Sequence, residues 1–343
     1  MITIIIAGGS GSRLWPLSTP VKPKQFLVID DSGKSLLQKT YQRVRDLSDK
    51  VYVVTSESIA DVTCKQLPEI IDNIIVEPSR KGVANALYLG IRRVLKDGYT
   101  KSEPIFVLWS DHLIRDQDTF EQTVRDAQAA VQNGAKLVQF GIVPEYPTTN
   151  LGYIKKGERQ HGSNVYAIDS WKYLPDQETA NKWLESGDYL WNAGYFVSTI
   201  DYILTEIERE SPESFKEFLA INEVSDDNLV EVYNEQEGAI LDHVLSEKMQ
   251  GAHVVACTFD WVDIGNFLDL HAVSRHGESG NTIQGDVLTH NVNDSFVVNK
   301  LEMPVSVIGL DHVAVVATPD GIVVVNKSQS KAVGDIAKRI QDR

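Results

Sequence analysis

The sequence predicts an α/β protein built on a doubly wound, mostly parallel sheet and followed by a smaller β domain. Three observations carry that reading. Short strand-like runs alternate with helically spaced apolar residues through the first half. The first run, "ITIIIA", is β-branched up to its final alanine, as expected of a strand covered on both faces. After "SRHGESGNT" (274–282) the texture changes to short Val-rich runs cut by Gly, Asn, Asp and Pro.

The elements follow in order. Leu36, Leu37, Tyr41 and Val44 mark a helix, and "VYVVTS" and "NIIVEP" are the next strands. Val83, Leu87, Ile91 and Val94 recur at helical spacing before the strand "PIFVLWSDH". Phe120, Val124, Ala127 and Val131 give another helix, and "KLVQFGI" another strand. The middle, about 140–265, mixes short strands with polar helices. A helix is expected over 328–340. The boundary is set near 275, giving domains 1–275 and 276–343; no strict repeat argues for a solenoid.

Composition narrows the function. The chain has 343 residues, 42% hydrophobic, enough for a large core. Its net charge of −15 argues against a nucleic-acid or anionic-membrane surface, so an anionic substrate needs a local basic pocket. Cys64 and Cys257 are far apart and outside any CxxC, so neither a disulfide framework nor a zinc site is suggested and two buried thiols are expected. There is no charged n-region and no apolar run near the ~18 residues of a membrane span. A soluble, cytoplasmic protein is the expectation.

The opening stretch supplies the basic pocket. Ala7, Gly8, Gly9, Ser10 and Gly11 follow the first strand, with Arg13, Lys22 and Lys24 close behind. The dinucleotide fingerprint fails, because Leu14 stands where its third glycine belongs, and the P-loop pattern fails too. What remains is a glycine turn whose amide N–H groups can face an anion. Arg13 can reach phosphate oxygens with two parallel bonds, and Lys24 adds a point charge. Downstream, Asp111 ends an apolar run at the carboxyl end of a strand, where ligands sit in this architecture. Asp263 lies in "FDWVDIGN" in a similar place. Each has an ordinary alternative as a turn or capping aspartate. Asn192 offers a donor and an acceptor to hydroxyls, Gly141 lets a backbone come close to a ligand, and Trp191 is read as packing.

"AGGSGSRLWPLS…PKQF" resembles the signature of the sugar-1-phosphate nucleotidyltransferases, in the form found in the mannose-1-phosphate guanylyltransferase branch. The likeness continues through "VLWSDH", "FGIVPEYPTTNLGYI", "YLWNAGYF", "FDWVDIGNF" and "GLDHVAVVATPDGIVVV". It implies a Rossmann-like catalytic domain and a left-handed β-helix-like C-terminal domain with a terminal helix, often used for dimerisation. It implies transfer of a nucleotidyl group from a nucleoside triphosphate, here GTP, to a sugar 1-phosphate, with Mg²⁺ held by Asp111 and Asp263. It adds Lys81 to the nucleotide side, and Gly152 and Asp242 to the sugar side beside Gly141 and Asn192; Glu247 is a weaker candidate.

Three loops depart from the family pattern. Lys81-Gly82-Val83-Ala84-Asn85-Ala86 replaces Arg-Asn-Thr-Ala-Pro-Ala, and Thr148 stands where the family has a carboxylate. Tyr173-Leu174 replaces the Glu-Lys that serves sugar hydroxyls and phosphate. Lys172, two residues before Leu174, is the candidate replacement cation, with Lys155 or Arg159 behind it. Three readings follow: a guanylyltransferase acting on mannose 1-phosphate, the same chemistry on another sugar or base, and a non-catalytic nucleotide-sugar-binding paralogue.

Overall fold

The computed structural model describes every residue except Ser10, Asp242, His243, Ser246, Glu247, Lys248, Gln250 and Arg343. Contacts divide the chain into two compact units. The first comprises Met1–Gly8, Tyr41–Trp109 and Ile114–Trp261. The second comprises Gly9–Thr40, Ser110–Leu113 and Val262–Arg343, so it is assembled from three segments and takes in most of the glycine turn. The expected boundary near 275 falls inside this second unit.

In chain order the first half runs β1 (Ile2–Ala7), α1 (Leu36–Arg45), β2 (Lys50–Ser56), α2 (Ala60–Gln66), β3 (Ile74–Glu77), α3 (Val83–Lys96), β4 (Pro104–Trp109), β5 (His112–Ile114), α4 (Gln117–Gln132) and β6 (Leu137–Ile142). Next come β7 (Tyr153–Arg159), β8 (Val165–Lys172), α5 (Gln177–Ser186), β9 (Tyr189–Thr199), α6 (Ile200–Glu210), α7 (Pro212–Glu223), α8 (Leu229–Glu235), β10 (His253–Cys257) and β11 (Trp261–Asp263). The first unit carries a nine-stranded sheet in the order β3-β2-β1-β4-β9-β6-β10-β8-β7. Its β3-β2-β1-β4 portion is parallel, as is the β6–β10 pair. β9 enters antiparallel between β4 and β6, and β7 and β8 form an antiparallel edge.

β1 is buried along its whole length, which accounts for its unbroken apolar character. Ile2, Ile4 and Ile6 share one core with Leu87, Ile91 and Val94 of α3. A side chain at Gly90 would come within 2.9 Å of Ile4, so glycine is what lets α3 lie this close to β1.

The second unit continues with α9 (Phe267–Val273), β12 (Thr282–Gln284), β13 (Val287–His290), β14 (Phe296–Asn299), β15 (Val305–Ile308), β16 (Val313–Thr318), β17 (Gly321–Asn326) and α10 (Val333–Gln341). β12, β14 and β16 stack in parallel, and so do β13 and β15. β17 closes the first stack antiparallel. β16 alternates: Val313 and Val315 join Val297 and Val307 in one cluster, while Ala314 and Val316 join Leu14, Trp15 and Phe267 in another. Both faces of this strand are therefore covered. The expected terminal helix opens as a 3₁₀ turn, Lys327–Ala332, before α10.

A polar chain, buried at Lys327 and His271 and half-exposed at Asp294, ties this unit together. Lys327 lies 2.7 Å from His271 Nδ1 and 2.8 Å from Asp294 Oδ1, and His271 Nε2 lies 3.1 Å from the Gly280 carbonyl. The lysine donates to Nδ1, so the imidazole is neutral and protonated on Nε2. Burial first, and then the Lys327 charge, push His271 down from 6.5 to about 4. The hydrogen bond from Lys327 leads in bringing Asp294 down from 3.8 to about 2. Among the described residues no helix is long and apolar enough to cross a membrane.

Candidate active site

The glycine turn is shaped by its neighbours. Gly11 is left-handed (φ 60°), and a Cβ there would lie 2.6 Å from Lys24 Cβ and 2.7 Å from Ser18 Oγ. Only glycine satisfies both the backbone and the space. Gly9 differs: a Cβ would meet nothing within 4 Å, so its surroundings are open. Gly11 thus seats Lys24, which starts a 3₁₀ turn after Pro23. Ser10 lies outside the described residues.

Lys24 is 5% exposed and joins the two predicted aspartates. Its Nζ lies 2.6 Å from Asp263 Oδ1 and 3.1 Å from Asp111 Oδ2. β5 begins just after Asp111, β11 ends on Asp263, and the two strands pair, which explains how residues so distant in sequence meet. Burial works against the Lys24 ammonium, but the two carboxylates outweigh it and raise its pKa above 10.5. Asp263 is pushed up by burial, and Lys24, His112 and Arg13 together hold it below its usual range. A lysine between two aspartates neutralises them only in part. The trio is pre-assembled, not a set of exposed charges.

Arg13 sits in the 3₁₀ turn Ser12–Leu14, and its positive charge reaches Asp263. Two glycines make room for it. A Cβ on Gly334 of α10 would stand 3.0 Å from Arg13 Cγ, and one on Gly265 would stand 3.6 Å from its guanidinium. Asn266 and Asp269 were not anticipated from the sequence. Asp269 Oδ2 accepts from Gly265 N–H at 2.9 Å and Asn266 Nδ2 at 2.7 Å, while Asn266 Oδ1 caps α9 through Leu268 N–H at 2.8 Å. Burial, joined by the Asp263 charge, raises the Asp269 pKa despite the Gly265 N–H. Asn266-Phe267-Leu268-Asp269 is a capping-box spacing, a signal available in the sequence.

In the first unit, β1 delivers Ala7 and Gly8, and the loop after β3 delivers Lys81. The departure in that loop has a structural use. A Cβ on Gly82 would lie 2.5 Å from the Ala239 carbonyl, and Asn85 bridges Ala239 N–H (3.1 Å) to Glu217 (2.9 Å). Lys81 N–H donates to Glu77 Oε1 at 3.1 Å, which also accepts from Tyr233 at 2.8 Å. The loop is locked by its own polar groups.

The sugar-side candidates divide by face. Gly152 O accepts from Asn192 N at 2.8 Å, and Tyr173 packs over Gly152, 3.4 Å from where a Cβ would be. Asn192 Oδ1 is committed to Gly194 N–H at 2.9 Å, leaving Nδ2 without a partner among the described residues. Gly141 opposes Asn192 in the register, but its Cβ side is filled by Leu190 and Val254 at 2.7 Å, so packing accounts for this glycine. Lys172 is not brought to this group. It opposes Tyr153, which opposes Trp191, one residue out of phase with Gly152 and Asn192 and so on the other face of the sheet. The rule that i and i+2 share a face stops at Lys172, where β8 ends; Leu174 is left-handed (φ 41°). Lys155 pairs with Asp169 at 3.0 Å, and Arg159 donates to Ser163 O at 2.7 Å. Trp191 is buried, as packing requires. Asp242 and Glu247 lie outside the described residues.

Residues 2–280 match the nucleotidyl transferase family. The chain belongs to that family. It is 34% identical over 352 residues to a mannose-1-phosphate guanylyltransferase of Salmonella typhimurium, covering 98% of this chain and 72% of that protein. A second mannose-1-phosphate guanylyltransferase, from Salmonella montevideo, is 34% identical over 358 residues, covering 99% of this chain and 74% of its own length. The crystal structure of mannose-1-phosphate geranyltransferase from Thermus thermophilus superposes with a TM-score of 0.86 at 26% identity, covering 99% of both chains. These nucleotidyl transferase relatives extend over both units described above.

Proposed function

We propose that the protein transfers a guanylyl group from GTP to mannose 1-phosphate, giving GDP-mannose and pyrophosphate. A sugar phosphate oxygen forms a bond to the α-phosphorus. The bond from that phosphorus to the bridging oxygen breaks, and its electron pair leaves with pyrophosphate. The nucleophile is already an anion, so no general base is required. Catalysis then rests on positioning and charge neutralisation.

The observation that carries the proposal is the Asp111–Lys24–Asp263 cluster. Two hard carboxylate oxygens on one cation suit Mg²⁺, which takes one or two carboxylates and completes its shell with phosphate oxygens and water. Asp111 and Asp263 would hold that ion, and it would supply charge neutralisation on the phosphates. Arg13 and Lys24 neutralise triphosphate oxygens, and the amides of Gly8, Gly9 and Gly11 orient them. Lys81 N–H, committed to Glu77, fixes the loop on the nucleotide side. Asn192 Nδ2 is the donor offered to a sugar hydroxyl. The proposal includes a cytoplasmic homodimer.

One observation favours a second reading, the same transfer to another sugar. Tyr173, 42% exposed, covers Gly152 where the family places an acid toward the sugar. A panel of four nucleoside triphosphates against several sugar 1-phosphates, scored by pyrophosphate release, tests both. GTP with mannose 1-phosphate is expected to give the highest kcat/KM. A different preferred sugar establishes the second reading. Binding of GTP or GDP-mannose with no release from any pair refutes both.

A further inference from the structure

We propose a second anion site, in the second unit, that takes a phosphate group between Lys22 and Lys300. A cavity of about 100 Å³ is lined by these two lysines and Gln284, against a wall that includes Leu17, Phe26 and Phe296. Both lysine backbones are fixed. Lys22 closes a turn with Thr19 through two main-chain hydrogen bonds of 3.1 Å, and Lys300, which follows β14, donates to Ala317 O at 2.8 Å. Burial, and then the Lys22 charge, push the Lys300 ammonium below its ordinary pKa, so the two cations feel each other. Among the described residues neither lysine has a carboxylate partner. In a chain of net charge −15, two neighbouring lysines without one are a local positive potential that an anion relieves.

Size and donors set the ligand. At about 100 Å³ this cavity has room for a phosphate group and is small beside the ~300 Å³ at which pockets for larger organic ligands begin. Ser274, also on the wall, donates its hydroxyl proton to Leu270 O at 2.7 Å, which leaves the two ammonium groups and the Gln284 amide as donors. Three donor-bearing side chains lining one cavity, two of them charged, fit the oxygens of one tetrahedral oxyanion. Lys22 belongs to the opening basic stretch, yet the cluster around Lys24 does not use it. The site stands apart from the nucleotidyl-transfer reading.

Calorimetric titration with sodium phosphate, without nucleotide or Mg²⁺ and at low salt, tests this. The protein used carries Lys24→Met, which weakens phosphate binding at the triphosphate cradle; what Arg13 and the glycine amides still bind there is the part that survives replacement of both Lys22 and Lys300. One-to-one binding is expected. Adding Lys300→Met or Lys22→Met should each weaken it about tenfold or more. Sodium chloride should weaken it further, because the charges are open to solvent. Melting temperatures in phosphate-free buffer should not fall in these variants, since each relieves a like-charge contact; Lys300→Gln serves if the methionine destabilises. Phenyl phosphate is the second arm. Tighter binding than inorganic phosphate assigns an organic phosphate lying on the apolar wall, and equal or weaker binding assigns the free ion. No saturable binding of either, or binding unchanged when both lysines are replaced, overturns the proposal.

Discussion

The two groups of candidate residues are built on opposite principles. In the second unit, Lys24 is buried between Asp111 and Asp263, seated by Gly11. Arg13 is flanked by Gly265 and Gly334. In the first unit, Asn192 Nδ2 has no partner among the described residues, and Tyr173, which packs over Gly152, and Leu174 after it are 42% and 68% exposed. Phosphate chemistry depends on charges fixed before the substrate arrives, because reorganising them during reaction adds to the barrier. Sugar recognition rests on surface groups that can be exchanged without disturbing a core. On the proposed function, this contrast separates a triphosphate and metal half that keeps the family pattern from a sugar half that departs from it at Thr148, Tyr173 and Leu174.

The most direct way to break the comparison is to disarm the buried cluster. Asp111→Asn and Asp263→Asn are each expected to lower kcat by about a hundred- to a thousandfold while the far-ultraviolet spectrum stays the same. Near-normal turnover at saturating Mg²⁺ in both variants would remove the cluster from catalysis.

A second test leaves the charges and disturbs only their seat. Gly11→Ala places a methyl 2.6 Å from Lys24 Cβ at a left-handed backbone position. A stability loss of about 1–3 kcal/mol and at least a tenfold fall in turnover are expected, read by thermal melting and pyrophosphate release. An alanine variant with wild-type values would show that the lysine is not held in place by the turn.

The third prediction concerns the polar chain in the second unit. Unfolded His271 binds a proton from 6.5 downward, whereas the folded residue resists until about 4. The unfolded state binds more protons in that window, so stability rises with pH from about 4 to 6.5 and falls on acidification, by up to about 3 kcal/mol. Lys327, Asp294 and His276 are the charged and titratable groups facing it. His271→Gln should flatten this slope in pH-dependent denaturation curves. Below it, Asp294 adds a second loss as pH falls from 3.8 toward about 2.

The smallest effect is expected at the sheet edge. Lys172→Ala should change kcat and KM for the sugar phosphate by no more than about twofold, since Lys172 lies on the face opposite Asn192. A sharp fall specific to the sugar phosphate would return Lys172 to the reaction.

Much of this was legible before the fold. β-branched runs such as "ITIIIA" and the helical spacing of Val83 to Val94 gave the element order, because buried strands and amphipathic helices leave a periodic trace. Asp111 and Asp263 were legible as strand-end carboxylates, but their sharing of Lys24 was not, since strand pairing leaves no local mark. The insertion of β9 between β4 and β6 is a long-range choice of the same kind. Lys172 was misplaced because alternation was carried past the last strand residue into a turn. Gly141 was read as an opening to ligand, although Leu190 and Val254, distant in sequence, fill its side.

The contact between Gly334 and Arg13 makes the end of the chain part of its beginning. Any side chain at position 334 would press on Arg13, and one at Gly321 would press on Trp15, 2.4 Å away. On the proposed function, a lesion at Gly334 would then be expected to present as a defect in triphosphate use through Arg13, whereas one at Gly321 would disturb the core around Trp15. A fragment ending near residue 280 would expose the apolar surface around Leu14 and Trp15, so the family-matching portion is not a module to be expressed by itself.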